Sequence, residues 1–180
     1  MARKASHILF GLIVAYIIWA HGERGFYLSQ SIVIISILAY NWAGRNLDLR
    51  IVKRTFESIN SVLERREIKI SGEAAILFSS SIMLVYWVFG EQSALMASIV
   101  WALGDGMCSV VGGYFKRREK SMEGVVAFIV FSFLGLLLVT SPEKAIIIAI
   151  FSALVEYFTK RMDDNITVPM GAGLMARLIG

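Results

Sequence analysis

The chain has 180 residues, a formal net charge of +4, one cysteine and two histidines. Hydrophobic residues make up 57% of it and the mean hydropathy is +0.66, against roughly 45–50% apolar residues in soluble domains. These values exclude an ordinary soluble domain. The lone Cys108 excludes an intramolecular disulfide framework and a multi-cysteine metal site.

With two prolines and no internal repeat, residues 1–180 read as one polytopic unit. Six apolar runs are predicted as helices that cross a membrane: 5–20, 26–43, 72–90, 93–114, 122–141 and 144–159. Several approach the ~20 residues a spanning helix needs, and hydrocarbon forces a helical backbone because it offers no water to unpaired peptide groups. The fold class expected is therefore an all-α integral membrane bundle of about six transmembrane helices. In the first run, Ala20-His21-Gly22 has the small-x-small form of a signal-peptide cleavage site, but the long apolar stretch ending in Tyr16 and Trp19 favours a retained helix.

Charge sets the orientation. Of 18 basic residues, 16 fall before the first run, between the second and third, between the fourth and fifth, or after the sixth; only Arg24 and Lys144 lie in the other turns. By the positive-inside rule both termini and the two basic loops are cytoplasmic. Between the second and third runs, Val52, Phe56, Ile59 and Leu63 recur at helical spacing with Lys53, Arg54, Glu57, Asn60 and Glu64 on other faces. This predicts an amphipathic cytoplasmic helix, extending the second run or lying on the membrane surface, which Ser71-Gly72 then ends.

The fourth run ends in Gly104-Asp105-Gly106-Met107-Cys108-Ser109-Val110-Val111-Gly112-Gly113. An ionisable group at membrane depth marks a functional site by default. Glycine spacing of this kind also serves close helix packing, which accounts for Gly112 and Gly113 but not for an aspartate between two glycines. A helix broken here would present backbone N–H groups to a phosphate, beside a carboxylate able to hold Mg²⁺.

Further polar groups gather on the same predicted face. Lys120, Ser121 and Glu123 open the fifth run, and Lys120 can act as a point charge on phosphate. No Gly-x-x-x-x-Gly precedes it, so this is not a Walker A loop. At the other turn, Thr140-Ser141-Pro142-Glu143 has the form of a helix start. Glu156 and Asp163-Asp164-Asn165 close the sixth run, and Lys4 and His7 open the first. Asp105, Asp163 and Asp164 are the expected metal ligands, with Mg²⁺ favoured by oxygen donors. Gly104, Gly106, Gly112, Lys120, Ser121, Lys4, His7 and Asn165 are the expected cofactor-binding residues. Asp105, Lys120, Glu123 and Glu156 are the expected catalytic groups, with Glu123 or Glu156 orienting or deprotonating a hydroxyl. Such parts suit phosphoryl or nucleotidyl transfer, which depends chiefly on positioning and on neutralising phosphate charge.

At these residues the chain resembles the family of CTP-dependent lipid kinases that includes dolichol kinase, phytol kinase and the yeast-type diacylglycerol kinase. Arg3-Lys4 with His7 is similar to the family's Arg-Lys-x-x-His. Glu64-Arg65-Arg66-Glu67 with Ser71-Gly72 is similar to its charged segment before the third span. Gly104-Asp105 with Gly112 resembles Gly-Asp-x-x-Ala-x-x-x-Gly, with Cys108 in place of alanine. Lys120-Ser121 with Glu123-Gly124 resembles Lys-(Thr/Ser)-x-Glu-Gly, and Asp163-Asp164-Asn165 with Val168-Pro169 resembles Asp-Asp-Asn-x-x-(Ile/Val)-Pro. Eleven residues follow Pro169, too few for a full final helix after it.

The resemblance implies transfer of the γ-phosphoryl group of CTP, with Mg²⁺, to a polyprenol such as dolichol or geranylgeraniol in the cell membrane or an ER-type membrane. The partners implied are a nucleoside triphosphate, a membrane lipid alcohol and the lipid bilayer, with no nucleic acid and with a homodimer compatible. Two rivals fit the same residues less fully: a CTP:phosphatidate cytidylyltransferase, and a small ion-coupled transporter with Asp105 in its ion path.

Overall fold

A computed structural model describes residues 2–46, 72–114, 121–159 and 161–180. The described residues are helical throughout, without a strand. The amphipathic segment of 45–69 lies almost wholly outside them, as do Lys116, Arg117, Arg118, Lys120 and Lys160.

The first element, α1 (Ala2–Asn46), is a helical run with a break at Gly22, where φ is 59° and ψ −159°. A straight helix of that length would reach roughly 67 Å, more than twice a bilayer core. Contacts with the next helix, α2 (Glu73–Phe89), show that the run instead doubles back. Phe10 meets the Phe78 ring edge-on at 5.8 Å and Phe26 stacks on Tyr86 at 4.9 Å. Beyond them, Ile37 lies against Gly72, just before α2 begins. Only glycine adopts the Gly22 backbone readily. Gly25 lets the two limbs turn tightly, since a Cβ there would come 2.5 Å from His21 Cβ.

Gly90 ends α2 at φ 89° and starts α3 (Glu91–Ile99). A π-helical turn, Val100–Asp105, joins α3 to α4 (Gly106–Tyr114). The helix expected to break at Gly104-Asp105 is therefore continuous. Its wider turn keeps the peptide groups in helical hydrogen bonds and rotates the residues after it relative to an α-helical register. Gly104 and Gly106 are both buried. They are close-packing positions: a Cβ on Gly104 would collide with Ser132 Oγ, and one on Gly106 would come 2.5 Å from Ile8 Cγ1.

Ser121 then caps α5 (Met122–Leu136) by accepting a hydrogen bond from the Gly124 N–H at 3.1 Å. Ser141 and Pro142 open α6 (Pro142–Phe158). The Glu143 carboxyl there is held below the usual carboxylate range by hydrogen bonds with its own backbone and with the Ser141 side chain.

The last element is α7 (Asp164–Ile179), capped by Asp163. This corrects the expectation that no full helix follows the sixth run: α7 begins five residues before Pro169 and carries the proline in its second turn. Val168, Pro169, Ala172, Gly173 and Ala176 are buried, and α7 packs against α2, α3 and α6. Its path runs away from the start of α2. Gly173 is pressed on Val85, so Gly180 and Lys4 lie towards opposite ends of the bundle. The expectation that both termini share one face does not follow from this arrangement.

The core runs along α3 and the π turn, where Ala94, Ala97, Val100 and Ala102 are wholly enclosed. Outward faces are apolar as well, with Trp19 69%, Trp87 78% and Leu138 84% exposed. Among the described residues, two helical stretches are long and apolar enough to cross a membrane, Lys4–Ala43 and Glu91–Tyr114. The first of these is the run that doubles back at Gly22.

Gly22 has nothing within 4 Å of a built Cβ, so replacing it tests the backbone alone. Gly22→Ala is expected to destabilise the fold by about 1–3 kcal/mol, read as a lowered Tm of the purified protein in detergent. An unchanged Tm would show that the two limbs do not need this conformation.

Candidate functional site

Three carboxylates from separate stretches of sequence meet near the start of α1. Asp105 closes the π turn, Glu156 sits near the end of α6 and Asp164 begins α7. Each offers an oxygen, and these oxygens all lie within 4.8 Å of one another. Glu156 is 4% exposed, while Asp105 and Asp164 are partly covered.

Local structure explains the convergence. The turn from α6 into α7 is short, and the Asp163 carboxylate accepts from the Asn165 N–H at 2.8 Å to cap α7. The same oxygen also takes the Asn165 side-chain amide. Asp163 is exposed and committed to the cap, so the structure brings Glu156, rather than Asp163, together with Asp105 and Asp164.

Like charges this close repel by about 3–4 kcal/mol per pair at an effective dielectric constant of 20. A cation or a bound proton offsets that repulsion. His7 faces one member of the group: Nε2 is 3.3 Å from Asp105 Oδ2 and 3.2 Å from the Trp101 carbonyl oxygen. Both neighbours are acceptors, so Nε2 carries hydrogen and donates to them. The His7 ring stacks on Trp101 at 3.7 Å, while Trp101 stacks on Phe78 at 3.6 Å. The Trp101 Nε1–H donates to Asn165 Oδ1 at 3.1 Å. The amide of Asn165 is thus engaged on both sides within the protein.

The remaining candidates sit around this group in different ways. Lys4 reaches along α4, and its Nζ would lie 2.7 Å from a Cβ on Gly113. A cation over the last turn of a helix is favoured by the carbonyl groups there. Gly112 is open apart from Ser121 Oγ at 3.9 Å. Ser121 is 5% exposed and used as a cap. Glu123 is half-buried in the first turn of α5. Lys120 lies outside the described residues. An open apolar groove of about 350 Å³, lined by residues including Leu12, Tyr16, Trp19, Ile99 and Leu138, contains none of the three carboxylates.

An all-oxygen donor set of three carboxylates suits a hard divalent cation such as Mg²⁺ or Mn²⁺, with room left for water or phosphate oxygens. The residues therefore fit the metal that the sequence pattern implies. Trp101 was not among the sequence candidates. Its only signal is a position four residues before Asp105, which in a π turn of about 4.4 residues puts both on one side of the helix.

No protein-family model, curated protein or solved structure matches the chain.

The cap and the triad separate by mutation. Asp163→Ala is expected to cost about 1 kcal/mol of stability, as loss of an N-cap does, while leaving Mn²⁺ affinity within about twofold. Asp164→Asn and Glu156→Gln are expected to weaken Mn²⁺ at least about tenfold. Titration by electron paramagnetic resonance checks this, and the reverse ranking would return Asp163 to the cation site.

Proposed function

We propose that the chain is an integral membrane enzyme that transfers the γ-phosphoryl group of CTP to a membrane lipid alcohol, a polyprenol, at the cytoplasmic face. The observation that carries this reading is the meeting of Asp105, Glu156 and Asp164 at one end of an otherwise apolar bundle. The motif order from Lys4 to Pro169 agrees with it, as do the apolar outer faces.

Phosphoryl transfer needs little covalent chemistry from the protein and much placement. Asp105, Glu156 and Asp164 would hold a divalent cation, whose charge would screen the phosphate oxygens of the nucleotide. Lys120 and Lys4 supply positive charge to the same phosphates. The lipid hydroxyl oxygen attacks the γ-phosphorus, the bond to the β-phosphate oxygen breaks and CDP leaves. His7, by donating from Nε2, keeps Asp105 oriented. Glu123, outside the cation group, accepts the hydroxyl proton. A site at the membrane edge lets the alcohol enter sideways from the bilayer while nucleotide arrives from water.

Purified protein given radiolabelled CTP, Mg²⁺ and geranylgeraniol or dolichol is expected to yield a phosphorylated lipid and CDP. Asp105→Asn should lower kcat by at least about a hundredfold, in line with loss of electrostatic stabilisation at the reacting phosphate. Release of pyrophosphate would assign the cytidylyltransferase reaction instead. Ion flux in liposomes without nucleotide, together with no lipid product, would assign transport.

A further inference from the structure

The residue on which the triad turns lies beside it. Trp101 is 2% exposed and touches the two sides of the site through two different groups. Its indole N–H donates to Asn165 Oδ1 at 3.1 Å, next to Asp164 in sequence. Its backbone carbonyl accepts from His7 Nε2 at 3.2 Å, and that nitrogen also meets Asp105 Oδ2 at 3.3 Å. We propose that Trp101 is a positioning residue that sets the spacing of Asp105 and Asp164, and through it the affinity of the triad for a divalent cation.

Three features make the placement stiff. The indole is stacked on Phe78, with an interplanar angle of 12°, and on His7, with 29°, while Phe10 meets its edge. The indole is 2% exposed, and a buried donor without a partner is costly, so the bond to Asn165 resists opening. The other end of the Asn165 amide donates to Asp163, the cap of α7. Trp101 therefore holds the first turn of α7 by its side chain and the first limb of α1 by its main chain. Asp105 follows in the same π turn. A residue that only filled space would need none of these polar contacts. Outer partners of this kind, mutated around bound metals, change affinity by about 10–100-fold.

The proposal rests on reading the triad as a cation site, and the experiment separates the two. W101F keeps an aromatic ring for the stack and removes the donor; W101L removes both. In the full chain in detergent, W101F is expected to weaken Mn²⁺ binding about tenfold. N165L should do the same, and the double variant should be no weaker than either single one, because both cut the same bond. A second readout needs no metal. On a C108A background, a D105C/D164C pair is treated with a short bifunctional thiol reagent, and its cross-linking is expected to slow about tenfold when W101F or W101L is added. Slower cross-linking with weaker Mn²⁺ supports the proposal. Equal cross-linking rates with and without Trp101 overturn it, whatever the metal does. A wild-type protein that takes up no Mn²⁺ sinks the cation reading alone, and the cross-linking rates still decide the role of Trp101.

Discussion

Mutual repulsion of Asp105, Glu156 and Asp164 is the constraint to which the rest of the structure answers. Three carboxylates within 4.8 Å push apart, and the elements that carry them are held by contacts made elsewhere. α7 is wedged among α2, α3 and α6 by small residues, with Gly171 on Val155 and Gly173 on Val85. The π turn is clamped between α1 and α5 at Gly104, Gly106 and Gly11. Apolar packing along the bundle thus holds in place an electrostatic arrangement that local forces oppose.

The glycines take on a different meaning in this light. In sequence, Gly104 and Gly106 suggest a backbone opened towards phosphate. In the fold they let two neighbouring helices approach until no methyl group fits between, against Ser132 and Phe128 on one side and Ile8 on the other. Close approach is what brings His7 and Asp105 within reach of each other. The glycines serve the site by packing, while the charge is handled by side chains.

Much of this was legible from the residues. Each of the six apolar runs falls in helix, the fifth only as far as Leu136, because composition decides where a chain can bury its peptide groups. Asp105 and Asp164 stand out as charges bordering apolar stretches. Choosing Asp164 over Asp163 was not legible, since it depends on which neighbour caps α7, and adjacent aspartates look alike in sequence. Glu156 was visible as a carboxylate, but its company depends on the short turn between α6 and α7. The π turn carries no sequence mark; it is imposed by packing against helices remote in the chain. Trp101 was hidden for a related reason, because an aromatic in an apolar run ordinarily means core. The final helix is hard to see in sequence because its start is set by the cap at Asp163, five residues into the polar stretch after α6, and Pro169 falls inside it.

The turns at the end of the bundle away from the triad have a consequence of their own. Gly22 reverses α1 within the helical run, Gly90 alone separates α2 from α3, and Gln92 ties its side chain to the Val139 carbonyl beside the turn into α6. Nothing there is slack. A reporter or affinity tag inserted at these corners would have to pry apart a packed helix pair, so each of the three turns is expected to refuse an insertion that an ordinary surface loop would accept.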